Sequence, residues 1–311
     1  MLSIPLAGGL GNQLFQIAAA IEYSESSIIK VNNSLLRPRI SENGIYEYAN
    51  VSWPSSIEFI EDESSSRITS RLLGWALKNA GSHATIFKKK VIRAVIGLSL
   101  KVISRFNHLC YGNPSISLDV GYDSSLKMRS TDTFLIGYFQ TYLTVKSQKF
   151  STVLDTLKPL DESNELKSLR INSHNKSILV VHIRLGDYKN EPAIGILSKI
   201  YYSKAIDFHL ERTKYEEIWF FSDEPDLAKT LVPVVRNLEI RWINDINNSA
   251  VETLFAMSLG TGFVLSNSTF SCWAAFLSKT RSPLVTVPEP WFINQSAPKN
   301  LLPPEWTRIP R

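Results

Sequence analysis

The chain has 311 residues, 44% of them hydrophobic and 20% charged, a balance that excludes intrinsic disorder and fits a globular protein. At roughly 150 residues per domain, it has room for two domains with a core each. With 34 basic and 29 acidic residues the net charge is +5, which admits phosphate, nucleic-acid or membrane-surface partners without choosing among them. The two cysteines, Cys110 and Cys272, are far apart and lack C-x-x-C spacing, which excludes a disulfide scaffold and a cysteine zinc site and suits a reducing compartment.

Ser3 to Ala7 reads as a strand, Gly8 to Gly11 as a tight turn, and Asn12 to Ser24 as a helix with Leu14, Ile17, Ala18 and Ile21 on one face. Ala18-Ala19-Ala20 imitates a signal-peptide cleavage site. The preceding apolar run is interrupted by Gly8, Gly9, Gly11, Asn12, Gln13 and Gln16, however, and no Lys or Arg precedes it, so no secretory signal is expected. Ile28 to Val31 reads as the next strand, residues 32–66 are polar and turn-rich, Arg71 to Phe106 is helical and basic, and Phe134 to Phe139 returns to a strand pattern. The apolar run Val91 to Ile103 contains Arg93 and Lys101 and is too short to cross a bilayer. A weak helix from Phe150 to Leu157 leads into the polar segment Lys158 to Lys176, where a domain boundary is expected, separating a domain over residues 1–160 from one over 175–311.

The second half alternates. Apolar strand-like runs at Ile178 to Ile183, Ile218 to Ser222, Leu238 to Ile243, Gly262 to Ser266 and Leu284 to Val287 are separated by helical patterns at Tyr201 to Arg212, Asp226 to Val232, Val251 to Ser258 and Thr269 to Lys279. This predicts an α/β domain with a parallel sheet covered on both faces, whose ligands bind beyond the carboxyl ends of the strands.

Four clusters follow predicted strands. In His182-Ile183-Arg184-Leu185-Gly186-Asp187-Tyr188, alternation puts His182 and Arg184 on one face and Leu185 toward the core. Arg184 offers a planar fork of donors suited to phosphate, and its spacing equally suits an ion pair with Asp187. In Phe221-Ser222-Asp223-Glu224-Pro225, Asp223 can accept hydrogen bonds from a nucleotide base or ribose, or with Ser222 cap the next helix. Ser266-Asn267-Ser268-Thr269 places hydroxyls at a helix start that suits an anion, with capping again the plainer reading. Gly8-Gly9-Leu10-Gly11-Asn12-Gln13 allows close backbone approach to a ligand but matches neither G-x-G-x-x-G nor a P-loop. There is no H-E-x-x-H, D-x-D or G-x-S-x-G pattern, so a site that binds a diphosphate through Arg and a helix dipole, with no metal, is expected.

Taken in order, Gly8-Gly9-Leu10-Gly11-Asn12-Gln13-Leu14-Phe15-Gln16, His182 to Tyr188, Phe221-Ser222-Asp223, Ser266-Asn267-Ser268-Thr269-Phe270-Ser271-Cys272-Trp273-Ala274-Ala275 and Leu301-Leu302-Pro303-Pro304-Glu305-Trp306 resemble the motifs of the glycosyltransferase family 11 α1,2-fucosyltransferases. The resemblance implies a GT-B-like fold, two Rossmann-like α/β domains facing across a cleft, and inverting transfer of L-fucose from GDP-β-L-fucose to the 2-hydroxyl of a galactoside glycan. It assigns the β-phosphate to Arg184, the guanosine to His182 and Asp223, the diphosphate to Ser268 and Thr269, and a donor contact to Gly11 and Asn12. Asp187 and Glu191 are the candidates for the general base, unless the departing diphosphate takes the proton. Leu185 and Cys272 depart from the family pattern, which commonly has Arg and Trp there.

The basic segment Ile86 to Phe106, with Lys88, Lys89, Lys90, Arg93, Lys101 and Arg105, reads either as an anionic-membrane contact beside a lipid-linked acceptor or as a domain helix with a solvated edge. A cytoplasmic enzyme at the inner face of the membrane would follow from the first reading. An α1,6- or protein O-fucosyltransferase and a non-catalytic glycan- or nucleotide-binding protein are the alternatives. The modest charge and the lack of a basic-aromatic motif argue against nucleic acid.

Overall fold

The computed structural model describes residues 2–25, 28–32, 47–60, 87, 88, 90–92, 94–96, 98, 99, 113–117, 119–122, 132–244, 246, 249–294 and 296–311. The chain divides into two compact units, one of residues 1–156 with 298–301 and one of residues 157–297 with 302–311. Each is an α/β unit built on a parallel sheet, as the alternating pattern predicts for the second and the family resemblance implies for the first. No helix among the described residues is long and apolar enough to cross a membrane.

In the first unit, β1 (Leu2–Pro5), β2 (Ile29–Asn32), β3 (Ile57–Ile60), β4 (Asn113–Ile116) and β5 (Asp132–Ile136) form a sheet of order β3-β2-β1-β5-β4. The helix α1 (Leu10–Tyr23) packs against it and is buried on nearly every side, with Phe15, Ile17 and Ala18 to Ala20 fully inaccessible. The three alanines thus serve close packing. Strand β1 ends before Ala7 because the Ala7 N–H turns to the Gln16 Oε1 at 2.9 Å rather than to a neighbouring strand. The helix begins two residues earlier than expected, with Gly9 as N-cap. Strand β5 stops at Ile136, short of the expected Phe139, where the chain turns and Phe139 takes φ +52°. Two short helices, α2 (Tyr142–Val145) and α3 (Gln148–Leu154), follow. Cys110 lies outside the described residues.

The second unit contains α4 (Asn164–Ser173), β6 (Ile178–Ile183), α5 (Lys199–Leu210), β7 (Glu217–Ser222), α6 (Pro225–Leu231), β8 (Glu239–Ile243), α7 (Ala250–Met257), β9 (Gly262–Val264), α8 (Thr269–Leu277), β10 (Leu284–Glu289) and β11 (Thr307–Pro310). The parallel sheet runs β11-β10-β9-β6-β7-β8. Strand β6 is buried at every residue, which explains its unbroken apolar run. One face carries Leu179, Val181 and Ile183 into a core with Ile218, Phe220, Tyr201 and Ile206. Each such side chain contributes about 1.5–3 kcal/mol on full burial.

The segment expected as a polar boundary instead contains α4. Its N-cap Ser163 accepts the Leu166 N–H at 3.2 Å, while the Ser163 N–H and hydroxyl both donate to the buried Glu252 carboxylate on α7. Charges facing solvent on α4 made this segment read as a linker. Across the sheet, His209 is buried between the Tyr215 hydroxyl, 2.9 Å from Nδ1, and the Phe263 carbonyl, 3.1 Å from Nε2. The carbonyl requires a proton on Nε2, so Nδ1 accepts from Tyr215. Burial lowers the imidazole pKa to about 4.

Candidate active site

In the second sheet the chain leaves β6 toward β7 and β8 on one side, while β9, β10 and β11 lie on the other. The switch point is therefore between β6 and β9, and the segments following them are the expected ligand-binding edge. Three of the four sequence clusters converge there.

Arg184 is the first residue beyond β6. Its Nη1 lies 3.1 Å from Asp223 Oδ2, and its Nη2 and Nε lie 2.9 and 3.1 Å from Asp187 Oδ1. The predicted Arg184–Asp187 ion pair is thus present, joined by a second carboxylate. Asp223 carries more than charge: its Oδ1 accepts the Leu185 N–H at 2.9 Å, which fixes the turn that aims Arg184. Gly186 is needed because a Cβ there would come within 2.6 Å of Asp223 Oδ2. Leu185 is fully buried in the core, as its alternation predicts, so a charged side chain does not fit its environment.

The capping role weighed for Ser222 and Asp223 is not realised, because the N-cap of α6 (Pro225–Leu231) is Glu224 and has no side-chain cap bond. Ser222 accepts the Glu224 N–H at 3.1 Å, and Pro225 opens α6. Asp223 is left for the Arg184 turn. His182 is buried, with Nδ1 2.7 Å from Ser266 Oγ, and burial, aided by the adjacent Arg184, lowers its pKa to about 3. It is a neutral hydrogen-bonding group in the physiological range.

Beyond β9, Asn267 Nδ2 donates to the carbonyls of Ile194 at 3.1 Å and Trp291 at 3.3 Å, tying down the segment that follows Asp187. Tyr188 adds a hydroxyl bond to the Asn267 carbonyl at 3.3 Å. Ser268 stands at the N-cap of α8 in an extended conformation without a side-chain cap bond, so the capping alternative is not realised by its hydroxyl. Thr269 opens the helix. Asp187 lies in a 3-10 turn with its side chain 63% exposed, and Glu191, just after that turn, is exposed as well. Cys272 is buried, and burial raises its thiol pKa, so it packs rather than reacts.

A small cavity of about 120 Å³ lies along this edge and opens to solvent. His182, Arg184, Ser222 and Asp223 line it together with Phe221. The opposite wall comes from Ile243 and Asn244 at the end of β8, Ala250 and Thr253 on α7, and Phe270 on α8. Sequence reasoning missed Asn244 and Thr253. Asn244 is the first residue after β8, so the strand-end rule applied there would have found it; Thr253 has no such signal.

Gly11 and Asn12 belong to the first unit and do not line this cavity. They sit beyond β1, where Gly8 turns the chain at φ +78° and Asn12 Nδ2 lies 2.5 Å from the place a Gly8 Cβ would take. Among the described residues, no group of three His, Cys, Asp or Glu side chains is placed to hold a metal.

The family model for glycosyl transferase family 11 matches residues 119–309, which include all three clusters of this edge. The chain belongs to glycosyl transferase family 11. It is accordingly a glycosyltransferase. Over 178 residues it is 29% identical to the O-antigen biosynthesis glycosyltransferase WbnK of Escherichia coli, a match that covers 53% of this chain and 57% of that relative. Over 319 aligned positions it is 25% identical to an α-1,2-colitosyltransferase of Escherichia coli, covering 98% of this chain and 97% of the relative. Among solved structures it resembles the fucosyltransferase NodZ from Bradyrhizobium at 10% identity and TM-score 0.48, over 89% of this chain and 93% of that one.

Proposed function

We propose that this family 11 glycosyltransferase transfers L-fucose from GDP-β-L-fucose to the 2-hydroxyl of a galactoside glycan, inverting the anomeric centre and forming an α1,2 linkage in surface polysaccharide or oligosaccharide synthesis. One observation carries the reading: at the switch point, beside a cavity open to solvent, Arg184 is aimed by a carboxylate that also fixes its turn. Its exposed partner Asp187 is cheap to displace, because an exposed ion pair is worth only about 0–1 kcal/mol. A diphosphate can exchange for Asp187 while Asp223 keeps the guanidinium in place.

In this mechanism the acceptor hydroxyl attacks the fucose anomeric carbon as the bond to the β-phosphate oxygen breaks and GDP departs. Negative charge grows on the β-phosphate, so Arg184 and the start of α8 at Ser268 and Thr269 stabilise the transition state more than the ground state. His182 and Asp223 hold the guanosine in the cavity, and Gly11 and Asn12 of the first unit contact the sugar nucleotide. Asp187 or Glu191 accepts the hydroxyl proton. The first unit then serves acceptor recognition and the second holds the donor. A second reading, a donor carrying colitose in place of fucose, is favoured by the near full-length likeness to the colitosyltransferase.

The described helical residues between 87 and 99 support a membrane contact. Phe87, Val91, Val95 and Leu98 are exposed along one stripe, while Ile92 and Ile96 are buried behind it and Lys88 and Lys90 reach solvent. Lys89, Arg93, Lys101 and Arg105 lie outside the described residues. Co-flotation with phosphatidylglycerol vesicles, weakened by salt, is expected; no flotation at low salt refutes this contact and with it a lipid-linked acceptor at the inner membrane face.

Incubation with GDP-fucose and a panel of β-galactosides, without added metal, tests the main reading. An α1,2-fucosylated product, identified by NMR, is expected. A product only from GDP-colitose establishes the second reading, and GDP binding without transfer to any acceptor overturns both.

A further inference from the structure

The two sheets place different groups at their switch points. In the first, β2 and β3 lie on one side of β1 and β5 and β4 on the other, so the crevice lies between the segments following β1 and β5. Carboxamides bridge it. The inner one, Gln16, is buried, accepts the Ala7 N–H at 2.9 Å and donates to the Gly137 carbonyl at 3.0 Å, which secures α1 to the end of β5. The outer one, Gln140, is bonded to Asn12 at 2.9 Å. At the second switch point an ion cluster takes their place, and its two carboxylates are not held alike.

Asp223 is anchored at two points. Its Oδ1 accepts the Leu185 N–H at 2.9 Å and its Oδ2 lies 3.1 Å from Arg184 Nη1, with the side chain 23% exposed. Asp187 is 63% exposed, and its Oδ1 accepts from both Nε of Arg184 at 3.1 Å and Nη2 at 2.9 Å. Two neighbouring guanidinium nitrogens of this kind are the fork that takes a phosphate bidentately. A carboxylate of the protein thus stands where a phosphate would dock. Together with Asp223 it over-neutralises the single positive charge, so an incoming diphosphate meets net negative charge until Asp187 leaves.

The backbone does not have to move for it to leave. The Lys189 N–H is bonded to the Leu185 carbonyl at 3.1 Å and the Tyr188 hydroxyl to the Asn267 carbonyl at 3.3 Å, which fixes the turn on both sides of Asp187. An exposed side chain on a fixed turn changes rotamer within picoseconds to nanoseconds. Arg184 stays behind, held by Asp223 and by the Tyr188 ring, whose centroid lies 5.7 Å from Cζ.

We propose that Asp187 is a donor-gated base: it occupies the phosphate position of Arg184 before the donor binds, and the donor diphosphate releases it to receive the acceptor proton. This rests on the reading of Arg184 as the β-phosphate ligand. An oxygen that already accepts two guanidinium bonds cannot take up a proton as well, and once displaced it can. The acceptor oxygen then bonds the anomeric carbon and gives its proton to Asp187. The bond from that carbon to the β-phosphate oxygen breaks, and its electron pair leaves with GDP. The gate selects Asp187 over Glu191, which is exposed but not paired with Arg184.

Isothermal titration with GDP, and initial rates with whichever GDP-sugar the wild type uses, test this on Asp187→Asn. Removing the competing carboxylate should tighten GDP about two- to five-fold, the worth of an exposed ion pair, while kcat falls by on the order of 10². Glu191→Gln removes the same charge nearby without freeing Arg184, so its GDP affinity should match that of the wild type. Equal or weaker GDP binding by Asp187→Asn overturns the proposal. Equal tightening in Glu191→Gln does so too, since the effect is then one of distant charge. Tighter GDP binding with undiminished kcat also sinks it, because the released carboxylate is then not the base. Should the wild type bind no GDP, the nucleotide reading fails by itself, and inorganic pyrophosphate decides the exchange at Arg184. Tighter pyrophosphate binding by Asp187→Asn than by the wild type upholds the exchange, and no difference overturns it.

Discussion

The two switch points solve the same topological problem with opposite chemistry. At the edge of β6 and β9 the candidate side chains are charged, with Arg184 between Asp187 and Asp223 and Lys189 paired with Glu224 close by. At the edge of β1 and β5 they are neutral carboxamides from Asn12, Gln13, Gln16 and Gln140. A charged edge can answer a change in ligand charge by exchanging one partner for another. A carboxamide edge cannot; it discriminates by which atom donates and which accepts. The first arrangement suits a leaving diphosphate whose charge grows during reaction, the second a group that must be held in one orientation throughout.

The contrast can be broken most directly at Arg184. Arg184→Ala should lower kcat by on the order of 10²–10³ with little change in melting temperature, and Arg184→Lys should fail too, since a point charge does not replace the fork. Near-normal turnover in Arg184→Ala would remove the charged edge from catalysis. Next in size, the double variant Asp187→Asn with Glu191→Gln should lose about 10² in kcat, the low end of general-base contributions. If it stays fully active, the departing diphosphate is the proton acceptor.

Gln16→Leu should show the reverse profile to Arg184→Ala. It strands the buried Ala7 N–H and Gly137 carbonyl, a loss of about 2–4 kcal/mol in denaturant unfolding, before any specific effect on donor affinity. Equal stability in this variant would mean that the inner carboxamide is not a structural tie.

Acid should separate the units further. His182 and His209, both in the second unit, have folded pKa values of about 3 and about 4, below the ordinary 6.5. The unfolded chain therefore takes up protons as pH falls through 6.5 while the folded one does not. Stability is full above that pH and declines as pH drops toward 4, by about 1.4 kcal/mol per pH unit for each histidine. Melting curves from pH 7.5 to 4.5 should show this slope, and His209→Gln should flatten it; an unchanged slope would show that other groups set it.

How far the sequence could be read follows the same division. Strand β6 was predicted at Ile178 to Ile183 without error, and β7 to β10 within one or two residues; β6, β7 and β9, buried almost throughout, leave near-continuous apolar runs, whereas β8 is an edge strand with Glu239 and Ile240 exposed. Strand β11, Thr-Arg-Ile-Pro, escaped because an edge strand needs only one buried residue, Ile309, and tolerates Pro. Strand β3, Ile-Glu-Phe-Ile, lies in a stretch read as polar because half of its four residues are exposed. Arg184 and Asp223 were legible as candidates because each directly follows a strand of a parallel sheet, where ligands bind. Gln140 was not, since a glutamine carries no charge, no pKa and no motif, and its partner Asn12 is 128 positions away.

One feature of the chain path bears on how the protein is made. Residues 298–301 belong to the first unit, and only afterwards does the chain return to place β11 beside β10. The second unit is therefore finished only after the chain has made an excursion into the first, and no single cut yields both units intact. Until residues 307–310 pair with it, β10 has an unpaired edge that can pair with another copy of itself. A fragment ending at residue 297 would keep that edge open permanently, so solubility would be lost before any residue of the charged edge had been touched.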